Sequence, residues 1–352
     1  MTNSWNPLSE EAVRVMICRR GMEDDLLEEA ARAGWPACLG RGEGWLVLPG
    51  VPVGTVGKGF LVFERQRMDQ ARGFASRPLG EGARQAAAWA AERLDSQAGG
   101  WTLQAFAPDP AGKGAGQAQA AARRWREELA RRSPNVAARE SGPGGTPWVV
   151  QLCLTEEHLW CSVNRWEQLA STHPGGAYQA PHDPAAPSRS YLKMEEALDL
   201  LADPPRHGQK VVDLGAAPGG WSYAFLKRGC RVLAVDRGPL KISGIDQLPG
   251  QLTHLREDGL TFTPPKGWLP ADWLVSDMLV APGQALGLFR RWVEERRMKR
   301  FVINVKLPQK HPAAALMPLE AYLAKLSGRR AFGRLRQLYH DRREVTLVGR
   351  LE

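Results

Sequence analysis

The 352-residue sequence lacks two features, and each absence excludes a class of protein. No stretch approaches the roughly 18 consecutive apolar residues that a membrane-spanning helix needs. The amino terminus, MTNSWNPLSEEAVRVM, has no charged region followed by an apolar one, so it does not resemble a secretory signal. We therefore expect a cytoplasmic protein without a membrane partner.

Cysteine is scarce and scattered. The cysteines are Cys18, Cys38, Cys153, Cys161 and Cys230. Their number is odd, they form no CxxC pair, and no histidine-rich segment accompanies them. This pattern predicts neither a disulfide framework nor a zinc site, so we expect buried thiols and no bound metal.

Basic residues exceed acidic ones, 47 to 38, which gives a formal net charge of +9. Such an excess suits a polyanionic partner, although many basic proteins bind no nucleic acid. The distribution is more informative, because residues 321–352 carry eight lysines and arginines against three acids. More than half of the net charge therefore lies in one short segment.

Hydrophobic periodicity predicts two small α+β modules at the amino-terminal side. In the first, residues 1–75, a strand over 12–19 precedes an amphipathic helix, GMEDDLLEEAARAGW, and two strands, GWLVLPG and GFLVFER. The second, residues 76–167, has helices EGARQAAAWAAERL and QAQAAARRWREELARR around a strand, WTLQAFAP, and closes with a hairpin.

Residues 168–190 are rich in proline, glycine and serine, which predicts a linker. In residues 191–352, apolar strands alternate with helical stretches, as in a mainly parallel, doubly wound sheet. AFGRLRQL and EVTLVGR lie only five residues apart and predict a terminal antiparallel hairpin. If the first strand of the hairpin is parallel to the other strands, the second strand begins at the edge of the sheet where those strands end. Ligands of such sheets bind in a crevice at that edge, so Glu344, the first residue of the second strand, would face the ligand.

The segment VVDLGAAPGGWS, residues 211–222, reads as a buried strand, a glycine-rich turn and an amphipathic stretch. Gly215, Ala217 and Gly220 have the spacing of a dinucleotide fingerprint, and Asp236 ends the next strand about 20 residues on. Ala217 and Pro218 crowd the place where a pyrophosphate needs bare backbone. A ligand with a ribose but no pyrophosphate, S-adenosylmethionine, is therefore favoured over NAD(P).

Four ionisable residues stand at strand or helix ends of this region. Asp277 follows DWLVS, Lys306 follows FVINV, Glu344 opens the last strand, and Lys193 lies where the linker becomes a helix. Each also has a purely structural interpretation, as a helix cap, a lysine extended to solvent or a surface residue, and for Lys193 and Glu344 singly that alternative is favoured. A lysine that closes an apolar strand at a crevice is the least expected of the four.

Five segments, SRSYLK, DLGAAPGGWS, VSDM, INVKLP and RREVTLV, together resemble the FtsJ-type RNA ribose 2′-O-methyltransferases, which use a Lys-Asp-Lys-Glu tetrad. MICRRGMEDDLLEEAA and LYHDRREVTLV make the chain similar to one group of that family. This is the RlmM group, the bacterial 23S ribosomal RNA cytidine 2′-O-methyltransferases. The resemblance covers essentially the whole chain.

The resemblance implies a ferredoxin-like module in residues 1–75, a THUMP RNA-binding module in 76–167 and a Rossmann-like methyltransferase domain in 191–352. The tetrad positions are Lys193, Asp277, Lys306 and Glu344. The positions implied for the donor, S-adenosylmethionine, are Ser190, Asp213, Gly215, Ala217, Pro218, Gly219, Gly220, Asp236, Asp258 and Asp277.

The implied substrate is a cytidine ribose in the peptidyl transferase region of 23S ribosomal RNA, either naked or in a large-subunit precursor. We expect no DNA partner and a monomer or weak homodimer. Lys306 is assigned as the base that accepts the hydroxyl proton, with cationic stabilisation as the alternative. Asp277 and Glu344 would orient it, and Lys193 would hold the acceptor ribose.

Other functions fit the sequence less well. A dehydrogenase would need NAD(P) to fit over Ala217 and Pro218, and an RNA-binding protein without catalysis would not need the tetrad. Cytosine C5 methylation requires a nucleophilic cysteine, and MLVAPG after Asp277 has none. Methylation of a base amino group usually comes with an Asn/Asp-Pro-Pro-aromatic element, which SDMLV is not.

Overall fold

The computed structural model describes residues 11–50, 59–142, 144–327 and 331–351. Arg329 and Arg330 of the basic segment lie outside these ranges. The chain divides into two compact units between Tyr178 and Gln179, inside the predicted linker. Among the residues described, no helix is both long and apolar enough to cross a membrane.

The first unit is built on one mixed sheet. Its strands are β1 (Val13–Ile17), β2 (Gly40–Gly42), β3 (Trp45–Pro49), β4 (Gln66–Ala75), β5 (Trp101–Phe106), β6 (Trp148–Leu154) and β7 (His158–Arg165). Its helices are α1 (Glu23–Arg32), α2 (Leu79–Asp95), α3 (Gly114–Arg132) and α4 (Pro134–Ala137). The strand order is β2-β3-β1-β4-β7-β6-β5. The predicted modules thus share a sheet through the β4–β7 pair, and their separate identities stay a prediction.

The strand predicted at GFLVFER is wrong. Val62 and Phe63 are buried, as their apolar side chains require, but the segment belongs to no strand. The carboxylate of Glu29 on α1 accepts the backbone N–H of Val62 (2.6 Å) and of Phe63 (3.2 Å). Because a side chain satisfies these donors, Val62 and Phe63 can be buried without pairing in the sheet.

The actual strand, β4, follows immediately and carries charged residues that do not suggest a central strand. Arg67 and Asp69 are buried within it. Arg67 pairs with Glu64 (2.5 Å), and Asp69 pairs with Arg14 on β1. Buried charges are tolerated when they are paired, and this pairing is invisible to a reading of apolar alternation.

The second unit is built on one mainly parallel sheet. Its strands are β8 (Lys210–Leu214), β9 (Arg231–Val235), β10 (Gln251–Leu255), β11 (Ala271–Ser276), β12 (Met298–Lys306), β13 (Ala331–Arg336) and β14 (Glu344–Leu351). Its helices are α5 (Tyr191–Leu201), α6 (Gly220–Leu226), α7 (Pro282–Glu294) and α8 (Pro312–Ser327). The strand order is β10-β9-β8-β11-β12-β14-β13, and β14 is antiparallel to both of its neighbours. The mainly parallel sheet with a terminal hairpin is confirmed.

This topology fixes where a ligand can bind. The chain runs outward from β8 to β10 on one side and from β11 to β12 on the other, so the direction of winding changes between β8 and β11. Ligands of such sheets bind beyond the carboxyl ends of the strands at this switch point. The last strand enters at the same edge, because Lys306 and Glu344 are directly paired across β12 and β14.

Candidate active site

A cavity of about 180 Å³ lies at the switch point. It is lined by Ser188, Ser190, Asp213, Gly215, Ala216, Ala217, Pro218, Trp221 and Asp277. Six of the ten predicted donor residues therefore line it: Ser190, Asp213, Gly215, Ala217, Pro218 and Asp277. The other four, Gly219, Gly220, Asp236 and Asp258, stand on adjoining turns, and the role of all ten stays a prediction.

At two positions of the turn only glycine fits, because neighbouring side chains leave no room for a Cβ atom. Gly215 has φ +75°, and a Cβ atom there would lie 2.3 Å from Cγ of Met278. A Cβ atom at Gly220 would lie 2.4 Å from Oγ of Ser190 and 2.6 Å from Oγ of Ser188. The glycine-rich turn thus lets the neighbouring loop and the linker serines reach the cavity wall.

Asp213 at the end of β8 is the most unusual group of the cavity. It is fully buried, and its Oδ2 accepts a hydrogen bond from the Ser222 hydroxyl (2.6 Å). Its Oδ1 has no hydrogen-bond partner among the described residues. Burial raises the pKa of Asp213 to about 7, against the opposing hydrogen bond from Ser222. A buried carboxyl with an unused oxygen fits a ligand that brings a hydrogen-bond donor or a positive charge.

The two outer acids support turns beside the cavity. The carboxylate of Asp236 accepts the N–H of Ala217 (3.0 Å) and of Gly238 (2.7 Å), so it ties the glycine-rich turn to the end of β9. Asp258 accepts the N–H of Leu260 (2.9 Å) and pairs with Arg237 (3.1 Å). Its side chain is 40% exposed. The carboxylate of Asp236 is thus held in place more firmly than that of Asp258.

Lys306, the last residue of β12, is surrounded by acceptors. Its Nζ donates to Oδ1 of Asp277 (2.9 Å), to Oδ1 of Asn304 (2.9 Å) and to Oε2 of Glu344 (3.3 Å). An ammonium group has three N–H donors and no acceptor, so each donor has a partner. Three acceptors on three different residues therefore hold the Lys306 nitrogen in place.

Lys193 approaches the same carboxylates from α5. Its Nζ hydrogen-bonds to Oε1 of Glu344 and lies 3.8 Å from Oδ1 of Asp277 and 3.9 Å from Oδ1 of Asp341. Burial alone would lower the pKa of Lys193, but the three carboxylates hold it above its ordinary value. The beginning of α5 is fixed by Trp221, whose indole N–H donates to the Ser190 carbonyl (3.0 Å).

The four tetrad positions therefore meet in space. The side chains of Lys193 and Glu344 are each only 12% exposed, so neither is the surface residue that the structural interpretation supposed. Burial alone would raise the pKa of Glu344, but the hydrogen bond from Lys193 and the charges of both lysines hold it below its ordinary value. The site thus keeps charges of both signs close together.

Two functional candidates were missed by the sequence analysis. Asn304 bonds to Lys306, and Asp341 lies near Lys193. Burial raises the pKa of Asp341 to about 7, although the charge of Lys193 opposes this. Both residues stand inside the quoted segments INVKLP and LYHDRREVTLV, beside tetrad positions. Their position next to tetrad residues in the sequence was the signal that could have identified them.

Comparison with known proteins agrees with this geometry. Residues 186–317 match the family model of the FtsJ-like methyltransferases. A ribosomal RNA large subunit methyltransferase M from Azoarcus sp. (strain BH72) is 36% identical over 232 residues, which cover 64% of this chain and 62% of the relative. The protein of the same name from Laribacter hongkongensis (strain HLHK9) is 44% identical over 171 residues, 46% of this chain and 47% of the relative. The chain thus spans less than two thirds of the curated relatives it matches.

Likeness to solved structures is weak. TrmN from Thermus thermophilus is covered completely and covers 97% of this chain, at 18% identity and a TM-score of 0.38. A TM-score at this level carries no inference about function. The family match and the curated relatives confirm the predicted resemblance: residues 186–317 are similar to the FtsJ-like methyltransferases, and the chain is similar over part of its length to the ribosomal RNA large subunit methyltransferases M.

Proposed function

We propose that this protein transfers the methyl group of S-adenosylmethionine to the ribose 2′-hydroxyl of a cytidine in 23S ribosomal RNA. One observation carries the proposal: Asp277 lines the cavity at the switch point and also accepts a hydrogen bond from Lys306. A single carboxylate thus joins the candidate donor cavity to the lysine pair. The names of the curated relatives support large-subunit ribosomal RNA as the substrate class.

The cavity fits the methyl donor, which when bound supplies a methyl group on a positively charged sulfur. Asp213 offers an unused carboxylate oxygen in the cavity wall. Asp236 at the end of β9 stands where ribose-binding acids stand in such folds. Ser188 and Ser190, whose hydroxyls are 2.7 Å apart, also line the cavity, so the segment before α5 forms part of its wall.

The contacts of Lys306 bear on its chemical role. A ribose hydroxyl is a weak nucleophile, so methyl transfer needs its proton removed or its growing negative charge stabilised. Because Lys306 already has an acceptor for each ammonium N–H, we now favour the cationic role over the base role preferred from the sequence. The hydroxyl proton would then pass to Asp277, the carboxylate that lines the cavity.

The same edge of the sheet suits an RNA acceptor. Arg189 precedes α5, Lys310 follows β12, and Arg342 precedes β14. All three are exposed, and their side chains make no ion pair with any described residue. Leu279, two residues after Asp277, is 88% exposed. Free cations suit phosphates and an exposed apolar side chain suits a nucleobase, so we propose that the acceptor strand crosses this edge.

A labelled-donor assay tests the proposal. Purified protein is incubated with S-adenosylmethionine labelled in the methyl group and with ribosomal RNA from a strain that lacks the enzyme. We expect label in 23S RNA and none in RNA from the parent strain, which is already modified. RNA binding without transfer of label would favour a binding protein without catalysis. Binding of NAD(P) in place of the methyl donor would favour an oxidoreductase.

A further inference from the structure

Two buried residues, Asn304 and Asp341, lie directly behind Lys306. The Asn304 side-chain oxygen accepts a hydrogen bond from Lys306 (2.9 Å), and its amino group donates to Oδ1 of Asp341 (3.1 Å). Both residues are fully buried. A continuous line of hydrogen bonds therefore runs from the Lys306 ammonium through an amide to a carboxylate in the interior.

The orientation of the Asn304 amide follows from the chemistry at its two ends. An ammonium group can only donate, and Asp341 in its ionised form, which the nearby charge of Lys193 favours, can only accept. Asn304 satisfies both when its oxygen faces Lys306 and its amino group faces Asp341. The reverse orientation would set donor against donor on one side and acceptor against acceptor on the other. The carboxylate of Asp341 thus selects the orientation that serves Lys306.

Asp341 is itself held in place. Its Oδ2 accepts the backbone N–H of Leu338 (3.0 Å) and the hydroxyl of Thr346 (2.9 Å). The carboxylate cannot rotate without losing these bonds, so Oδ1 stays directed at Asn304. Lys193 lies 3.9 Å from the same Oδ1. The buried carboxylate therefore faces both lysines, one directly and one through the amide.

We propose that Asp341 is a positioning residue that acts through Asn304 to hold the Lys306 ammonium at the reaction centre. The role rests on the proposed methyl transfer, in which Lys306 meets the acceptor hydroxyl. Without the correctly turned amide, Lys306 keeps only Asp277 and Glu344 as acceptors. Its nitrogen would then lose the third contact that fixes its position.

Asp341→Asn tests the amide orientation. The new carboxamide must turn its oxygen toward Leu338 and Thr346, because both donate, and its amino group then faces Asn304. The Asn304 side chain then rotates so that its oxygen accepts from the amino group of residue 341. This rotation places the amino group of Asn304, in place of its oxygen, against Lys306. Losing a hydrogen bond to a charged group predicts a single-turnover rate at least about tenfold lower, with donor affinity unchanged.

The exchanged double variant, Asp341→Asn with Asn304→Asp, supplies the decisive comparison. A carboxylate at position 304 can accept from Lys306 and from the new amide at once, and the net charge of the pair is unchanged. Asn304→Asp alone sets two buried carboxylates against each other and should lower Tm. We expect the double variant to recover most of both losses, to within about threefold of the wild-type rate, because the two positions are coupled.

Asp203→Asn is the matched control. Asp203 pairs with Arg300 (2.6 Å), which lies on the same strand as Asn304 but toward its other end. This variant should lower Tm while leaving the methyl-transfer rate unchanged. A wild-type rate in Asp341→Asn would overturn the proposal, as would a double variant that recovers Tm but not rate. If the wild-type protein transfers no methyl group, the proposed function fails. The amide orientation is then still tested by Tm, because a Tm that does not recover in the double variant refutes it.

Discussion

Replacement of Lys306 by methionine perturbs the site most directly. Methionine approximates the length of the lysine side chain but removes the charge and all three hydrogen bonds, to Asp277, Asn304 and Glu344. Loss of one preorganised donor at a developing negative charge costs about 10²–10³ in rate. We therefore expect single-turnover methyl transfer at least about a hundredfold slower than in the wild type. Donor affinity should hardly change, because Lys306 is not among the residues that line the cavity.

Rapid-quench measurement with labelled donor gives the rate, and calorimetry gives donor affinity. Lys306→Arg then separates the two roles, because arginine keeps the charge but cannot give up its proton. The cationic role predicts that Lys306→Arg is well above Lys306→Met in rate, and that the wild-type rate is flat near neutral pH. The base role predicts that both variants are equally slow and that the wild-type rate rises with pH. More than about one tenth of wild-type activity in Lys306→Met would refute the tetrad assignment itself.

Three further outcomes are expected. Asp236→Ala and Asp258→Ala should each weaken donor binding in calorimetry by about 1.5–3 kcal/mol, while RNA affinity stays the same. Asp236→Ala should have the larger effect because it also leaves two backbone N–H groups without their acceptor. Unchanged donor affinity in both variants would refute the pocket assignment. Removing residues 1–167, which we propose supply RNA affinity and target choice, should spare donor binding and abolish methylation of 23S RNA; near-full activity of the truncated protein would contradict this. Asp213 has a folded pKa of about 7, above its unfolded value of 3.8, so the folded state binds more protons between these values, and stability should fall as pH rises from about 4 to 7, by up to about 1.4 kcal/mol per pH unit. Asp341, whose pKa burial also raises to about 7, contributes to the same slope. Asp213→Asn should therefore reduce the slope in thermal unfolding without abolishing it, and an unchanged slope would show that Asp213 does not titrate in this range.

The edge of the sheet that carries the candidate site could be predicted because strand direction is readable from the sequence. Short apolar runs separated by helices indicate parallel strands, and the five-residue gap before EVTLVGR indicates a reversal. Those two facts together put Glu344 at the edge where β12 ends. The structure pairs it directly with Lys306. Backbone connectivity alone therefore brought two distant charges together.

Other features depend on contacts that no local pattern displays. GFLVFER has the composition of a strand, yet a carboxylate from α1, and not a neighbouring strand, accepts the backbone N–H groups of Val62 and Phe63. β4 carries Asp69, whose charge is neutralised only after folding, by Arg14 on β1, 55 residues away. Asn304 and Asp341 are joined by a side-chain hydrogen bond although they lie 37 residues apart in the sequence. In all three cases the partner lies far along the chain or outside the pattern that was read.

The central claim is that the tetrad methylates a ribose hydroxyl and not a base. The most direct measurement digests 23S RNA, treated with the purified protein and labelled donor, to nucleosides and identifies the labelled one by chromatography and mass spectrometry. We expect the label in 2′-O-methylcytidine, and none above background with Lys306→Met. Label in a base-methylated nucleoside, or equal label with Lys306→Met, would contradict it.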